Sequence, residues 1–189
     1  MARQFQTEFA HQRQHLFEES LLQLMRIKDY SSITVKDICA QADIPRRTFY
    51  HYFDSKEELL DLVIENTMLP GFLTAMFEFD SGYGAMKQSF VRFFRFFNQE
   101  NRERLRLLLD NGHQSRLIAY TTQWAIAENI RMPQQNEFTP KHIRIAQIIG
   151  SASFFSLLFY WCRNDYRESP EEMAECIVWF LTKPLYKTQ

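Results

Sequence analysis

Arg46, Arg47, Thr48, Tyr50, His51 and Tyr52 crowd into seven positions, with Phe49 among them and Phe53 just beyond. The set holds two guanidiniums, a hydroxyl, two phenols and an imidazole. It has no paired carboxylates and no nucleophile beside a base. Its chemistry is therefore recognition through hydrogen bonds. An arginine fork meets guanine O6 and N7 in two parallel bonds, while hydroxyls, phenols and amines meet phosphate oxygens. Either arginine has the reach, and the sequence does not choose between them. Lys56 adds a cation in the opening turn of a further helix, whose unpaired N–H groups also attract phosphate. The Thr34 hydroxyl offers another backbone contact.

The elements that must hold these groups are legible around them. Thr34 suits a helix N-cap, with Asp37 three residues on as its capping-box partner. Val35, Ile38, Cys39 and Ala42 recur at helical spacing and form one apolar stripe. Asp43 breaks the run, and Asp tolerates the left-handed backbone that a sharp inter-helix turn needs. Pro45 suits the first position of a new helix, where its missing N–H is no loss. Phe49 and Phe53, four apart, point inward and leave Arg46, Arg47, Thr48, Tyr50 and His51 on the other faces. Ser55 with Glu58 opens the next helix as a second capping box. A short helix carrying two arginines and polar aromatics outward is what major-groove reading requires.

The pattern Thr34-Val35-x-Asp37-Ile38, a turn, then Thr48-Phe49-Tyr50-x-Tyr52-Phe53-x-x-Lys56-Glu57-x-Leu59 resembles the DNA-binding domain of the TetR/AcrR family of transcriptional regulators. With the preceding helix it covers about the first third of the chain. The resemblance implies an all-α fold. An N-terminal three-helix helix-turn-helix domain spans residues 1–56, a linking helix runs from about 55 to 70, and a helical effector-binding and dimerisation domain covers 71–189. This chain departs from the family at two places: Asp43 stands where the turn usually carries Gly, and Pro45 where the recognition helix often starts with Ser or Thr. Asp43 carries some backbone strain, and Pro45 removes an N–H that could meet a phosphate.

The chain has 189 residues, 46% of them hydrophobic, with formal net charge −1. It is no general polyanion binder. Residues 1–56 carry eight Lys/Arg against seven Asp/Glu, so DNA affinity must come from local charge placement and weaken with salt. Three cysteines at 39, 162 and 176 are too scattered for a disulfide framework or a zinc site and fit a reducing cytoplasm. The MARQFQTEF start lacks the apolar run of a secretory signal. His11 and His15 are four apart but have no third ligand nearby. No phosphate loop, nucleophile elbow or Cys–His pair appears, so neither an enzyme nor a cofactor is expected.

Helix one is expected from Thr7 to Ile27, with Phe9, Leu16, Phe17, Leu21, Leu24 and Met25 as its core stripe. Pro70-Gly71 should punctuate or kink the linking helix. Ser81–Gly84 reads as a loop, 102–112 and 115–130 as helices with Gly112 a C-cap, and Met132–Phe138 as a polar loop. Thr139-Pro140 starts a helix to about Asn164. Ser169-Pro170-Glu171-Glu172 opens the last helix with an N-cap, a Pro and a capping box.

Residues 145–162 contain no charge, a length at the threshold for a membrane span. Gln147, Gly150, Ser151, Ser153 and Ser156 lower its hydropathy, and no polybasic flank orients it. A helix buried on two sides gives the same pattern. The segment resembles the penultimate helix of TetR-type bodies, which with the last helix builds a dimeric four-helix bundle. Gly150, Phe154, Phe155, Leu158, Ile177 and Phe180 are the expected dimer contacts. The phenylalanine-rich stretch 72–97 is mostly core. Some excess rings, with His113, Gln114, Tyr120, Gln123 and Trp124, are candidates for lining an apolar effector site. The expectation is a homodimeric regulator of double-stranded operator DNA, by default a repressor released by a small apolar effector. The other reading is a protein of the same fold acting through a partner protein.

Overall fold

A computed structural model describes residues 8–75, 82–97, 99–127 and 139–182. The expected loop Met132–Phe138, and Thr7 and Ser81, lie outside them. Among the described residues the protein is all-helical: α1 (Glu8–Met25), a 3-10 turn (Tyr30–Ser32), α2 (Val35–Ala42), α3 (Arg46–Tyr52), α4 (Lys56–Ala75), α5 (Tyr83–Phe96), α6 (Gln99–Asp110), α7 (Gln114–Ala127), α8 (Pro140–Arg163) and α9 (Pro170–Thr182). They fall into two compact units. One holds the chain to Thr67 together with Leu107–His113, the other Met68–Arg106 with the chain from Gln114.

In the first unit, Phe17, Leu21, Leu22, Ile38, Phe49, Phe53, Leu59 and Leu60 are buried. Phe17 meets Phe49 edge-on at 5.3 Å and Phe53 at 6.0 Å. Aromatic pairs in such geometry add to what their area burial contributes. On α1, Phe9 and Leu16 are exposed, at 81% and 46%, against expectation. The buried series runs Ala10, Gln14, Phe17, Leu21, Leu24, at helical spacing. Phe9 and Leu16 sit one residue out of that phase.

The local signals around the second and third helices are realised. The Asp37 N–H donates to Thr34 Oγ1 at 3.2 Å, and the Thr34 N–H donates to Asp37 Oδ2 at 2.9 Å. Asp43 closes α2 in the left-handed region, at φ 53° and ψ 44°. The Ile44 N–H reaches back to the Cys39 carbonyl at 3.0 Å, and Ile44 is buried behind the turn. Pro45 is the N-cap of α3 rather than its first residue, and its carbonyl accepts from Thr48 at 2.8 Å. At the start of α4 the Glu58 N–H bonds Ser55 Oγ at 3.2 Å. The Glu58 carboxylate reaches back to the Asp54 N–H at 2.7 Å, one residue earlier than a standard box.

Pro70 does not end α4, which continues to Ala75. Pro70 faces solvent, where water can satisfy the carbonyl one turn back that its ring leaves unbonded. Gly71 is a packing notch: a Cβ there would stand 2.7 Å from the Phe96 ring. Tyr83 and Gly84 belong to α5 rather than a loop, and Gly82 precedes them at φ 87°. Gly112, at φ 80°, ends α6 through bonds from Gly112 to Leu109 and from His113 to Leu108, both 3.0 Å. In the second unit α5 packs on α9 and α7 on α8. Lys87 pairs with Glu175, and Arg95 with Glu171. Ser169 and Glu172 make the expected capping box.

The left-handed turn at Asp43 sets a stability test. A β-branched side chain there meets the following carbonyl, at a cost of about 1–2 kcal/mol, and glycine removes the conflict. Asp43→Val should lower unfolding free energy by that amount, and Asp43→Gly should hold or raise it, read by denaturant titration.

Candidate nucleic-acid interface

Burial of Phe49 fixes the rotation of α3, because residues three and four apart share a face and those between do not. With Phe49 and Phe53 turned inward, Arg46, Arg47, Tyr50 and His51 are exposed, and Thr48 and Tyr52 half-buried. Arg47, Thr48, Tyr50, His51 and Tyr52 line an open concavity of about 640 Å³. The Arg46 guanidinium lies over the Tyr50 ring, 6.0 Å from its centroid. His51 packs edge-on against Tyr52 at 5.2 Å, and Tyr52 leans toward Phe17 at 6.4 Å. Six of the eight expected DNA-facing residues are thus brought onto one short helix.

The other two are engaged within the fold. The Thr34 hydroxyl donates its one hydrogen to Asp37 Oδ2 at 2.8 Å, so in this arrangement it caps α2. Lys56 Nζ donates to the Ile33 carbonyl at 2.7 Å and the Tyr30 carbonyl at 3.0 Å. It also stands 4.4 Å over the Tyr30 ring. An ammonium has three N–H donors, so one is left for a phosphate. Lys56 is a brace first.

Sequence reasoning missed the residues it braces. The Tyr30 N–H donates to Asn111 Oδ1 at 2.9 Å, and Asn111 Nδ2 reaches the Met25 carbonyl at 3.4 Å. The Tyr30 ring meets His113 edge-on at 4.6 Å. A separation of 81 residues between Tyr30 and Asn111 leaves no local signal.

Electrostatics sharpen the α2 cap. A hydrogen bond from Lys28 at 2.9 Å, followed by those from Thr34, pulls the Asp37 carboxyl down to about 2.

These residues lie inside a stretch, 20–63, that matches the sequence pattern of bacterial regulatory proteins of the tetR family. The match gives that stretch the pattern of the family's DNA-binding region. Over 162 residues, 84% of this chain and 42% of the other, it is 26% identical to an uncharacterized HTH-type transcriptional regulator, YxbF, of Bacillus subtilis (strain 168). Over 53 residues, 28% of each protein, it is 42% identical to DhaS of Lactococcus lactis subsp. lactis (strain IL1403), the HTH-type dhaKLM operon transcriptional activator. The chain spans less than half the length of either curated relative. A solved structure of a dihydroxyacetone kinase operon activator DhaS shares the fold, with a TM-score of 0.54 at 20% identity over 89% of this chain and 93% of that one.

Of the expected effector residues, His113 packs on Tyr30 in the first unit. In the second unit Tyr120 and Trp124 are half-buried and Gln123 is exposed. Trp124 stacks on Phe72 at 4.7 Å. Gln114 accepts from Arg163 at 2.7 Å. Phe72, Phe90, Phe93, Phe94 and Phe97 are buried and fill core. Among the described residues no three His, Cys, Asp or Glu converge as metal ligands. No described helix is long and apolar enough to cross a membrane.

Two outcomes follow from this geometry. Lys56→Ala should destabilise the fold by about 1–3 kcal/mol, since it strips a charged donor from two carbonyls. It should also make the log–log salt slope of DNA binding shallower by about one, if the third N–H meets a phosphate. Thermal unfolding and a salt titration read the two effects apart. For Asp37, the folded carboxyl titrates at about 2 against an ordinary value of 3.8. The α2 cap therefore adds stability above pH 4 that fades as pH falls from about 4 to 2. Asp37→Asn should flatten the acid limb of a stability–pH curve over that window.

Proposed function

We propose that this regulator binds a near-palindromic double-stranded operator as a homodimer, through two copies of residues 34–56, and represses transcription until a small apolar effector releases it. The observation that carries the reading is the outward face of α3. Arg46, Arg47, Tyr50 and His51 are exposed on a helix whose opposite face is buried at Phe49. That places donors where a major groove presents base edges and flanking phosphates. The L. lactis relative is named an activator, so the position of the operator relative to the promoter would set the sign of control in this chain. A salt titration of the full chain on its own upstream DNA tests the reading. Binding that weakens along a straight log–log line supports it. No binding to that duplex at low salt would leave the partner-protein role.

Exposed apolar residues support dimerisation. On α8, Ile145, Ile149, Ser153, Ser156 and Tyr160 follow one another at helical spacing and are all exposed, with Ile148 beside them. On α9, Trp179, Phe180 and Leu181 are each more than half exposed. An uncharged stripe of this extent marks an interaction surface, and an isologous two-fold contact is the commonest solution. Gly150 is exposed and Ile177 half-buried, as a contact would need. Phe155 and Leu158 are different. They are 1% and 0% exposed within the chain, so they build its own core and do not face a partner. Phe154 is half-buried and meets the Phe93 ring at 4.8 Å.

The expected mutational pattern separates interface from core. Ile149→Arg and Phe180→Arg should give folded monomers by light scattering, with Tm close to that of a wild-type monomer. Phe155→Arg or Leu158→Arg should abolish folding, since an unpaired buried charge costs several kcal/mol. Folded dimers from both surface variants would move the interface elsewhere.

The effector proposal rests on Tyr120, Gln123 and Trp124, one turn of α7 with Trp124 against Phe72. A ligand of the folded state raises stability by mass action, about 2.7 kcal/mol at a hundred times its Kd. Apolar compounds that raise Tm should also weaken operator binding. Stabilisation with unchanged DNA affinity would leave a pocket without a switch.

A further inference from the structure

The two adjacent arginines of α3 are placed differently. Residues four apart lie on one helical face, which pairs Arg46 with Tyr50 and Arg47 with His51. The Arg46 guanidinium takes its place over the Tyr50 ring. Its charge also reaches α2: burial holds the Cys39 thiol above its ordinary value, and Arg46 offsets only part of that rise. Arg46 is therefore turned along the protein surface. Arg47 is exposed, lines the concavity with Thr48, Tyr50, His51 and Tyr52, and carries its five-donor fork without a stacked ring. The His51 ring rests edge-on against Tyr52, which holds its direction from the same wall. Tyr50, at 45% exposure, itself rests edge-on against the buried Phe49 at 5.6 Å. The platform under Arg46 is anchored to the core.

We propose that Arg47 is the residue that reads a guanine in each operator half-site, with His51 reading a second base on the same face, while Arg46 is parked on Tyr50 as a sequence-blind phosphate anchor. The assignment rests on the operator-binding reading above and deepens it. Arg47 and His51 are four residues apart, which is about 6 Å along a helix at 1.5 Å per residue. Base pairs rise about 3.4 Å each. The two side chains therefore meet bases one to two pairs apart, and the half-site should carry two specified positions at that spacing. A guanidinium fork takes guanine O6 and N7 together in one plane, while a lysine ammonium reaches the same acceptors without that planar fit.

The test is selection from a randomised DNA duplex pool by the full-length protein, its Arg47→Ala, Arg47→Lys, Arg46→Ala and His51→Ala variants, each checked for an unchanged Tm. Wild type should enrich a motif with one guanine per half-site at the Arg47 position. Arg47→Ala should lose preference there by roughly 5- to 150-fold and keep it elsewhere. Arg47→Lys should keep the wild-type salt slope with a weaker guanine preference than Arg, since the charge stays and the planar fork is lost. His51→Ala should relax only the position one or two pairs away. Arg46→Ala should keep every base preference, bind all sequences more weakly, and make the salt slope shallower by about one per head. Loss of the guanine from Arg46→Ala, or its retention in Arg47→Ala, overturns the assignment. A wild-type protein that enriches no motif overturns operator reading itself, and the assignment with it.

Discussion

Burial of Phe49 is the constraint on which the reading face depends. A seven-residue helix is too short to hold itself in water. Its position comes from one ring pinned among Phe17, Phe53 and Tyr50. Because helical faces are fixed relative to one another, pinning one side chain decides where every other residue of α3 points. Arg47 and His51 look outward because Phe49 looks inward. The buried ring gives no DNA contact, yet a change there would rotate or release all of them together. Asp43 serves the same end from the other side, since its left-handed backbone sets the angle at which α3 leaves α2.

What was legible in the sequence was what physics settles within a few residues. Thr34 with Asp37 and Ser169 with Glu172 form as their spacing demands, because a capping box closes over three residues and needs no distant partner. The left-handed Asp43 and the Gly112 cap are similarly local. Phase was harder. Phe9 and Leu16 differ from the true core series by one residue, which turns a side chain by about 100° at 3.6 residues per turn. The uncharged stretch 145–162 of α8 hid its two roles for a related reason. When no charged residue marks the outer face, periodicity alone does not say that Phe155 and Leu158 look in while Ile149 and Tyr160 look out. Least legible was Tyr30. Its partners come from Asn111, His113 and Lys56, and only the folded chain brings them together.

The Tyr30 cluster also changes how the first unit is delimited. Leu107–His113 pack with it although they follow it by some forty residues. The left-handed Gly112 turns the chain so that His113 meets the Tyr30 ring, and Asn111 bonds the end of α1 through Met25. The head is thus closed by a segment that no local motif announces. Lys56 then ties that corner to the base of α4. The DNA-facing helix is held from the inside by aromatic packing and from its flank by hydrogen bonds to a charge.

Charge bookkeeping bears on why two heads would be needed. The first 56 residues carry eight basic side chains against seven acidic ones. Of the basic ones, Lys28 is paired with Asp37 and Lys56 is bound to two carbonyls. Two of the eight are thus already engaged within the fold, and each phosphate neutralised contributes only a slope of about 0.9 in log–log salt dependence. One head would therefore hold DNA weakly. In the proposed dimer, joining two through the apolar residues exposed on α8 and α9 would turn the second contact into an intramolecular one, which can raise affinity by about 10²–10⁴ without any new side chain at the groove. On the proposed reading, a head so sparing of charge would bind usefully only where both half-sites fit, and discrimination would come from base contacts and spacing rather than from general attraction to a polyanion. The near-neutral composition and the apolar outer stripe are then two sides of one arrangement.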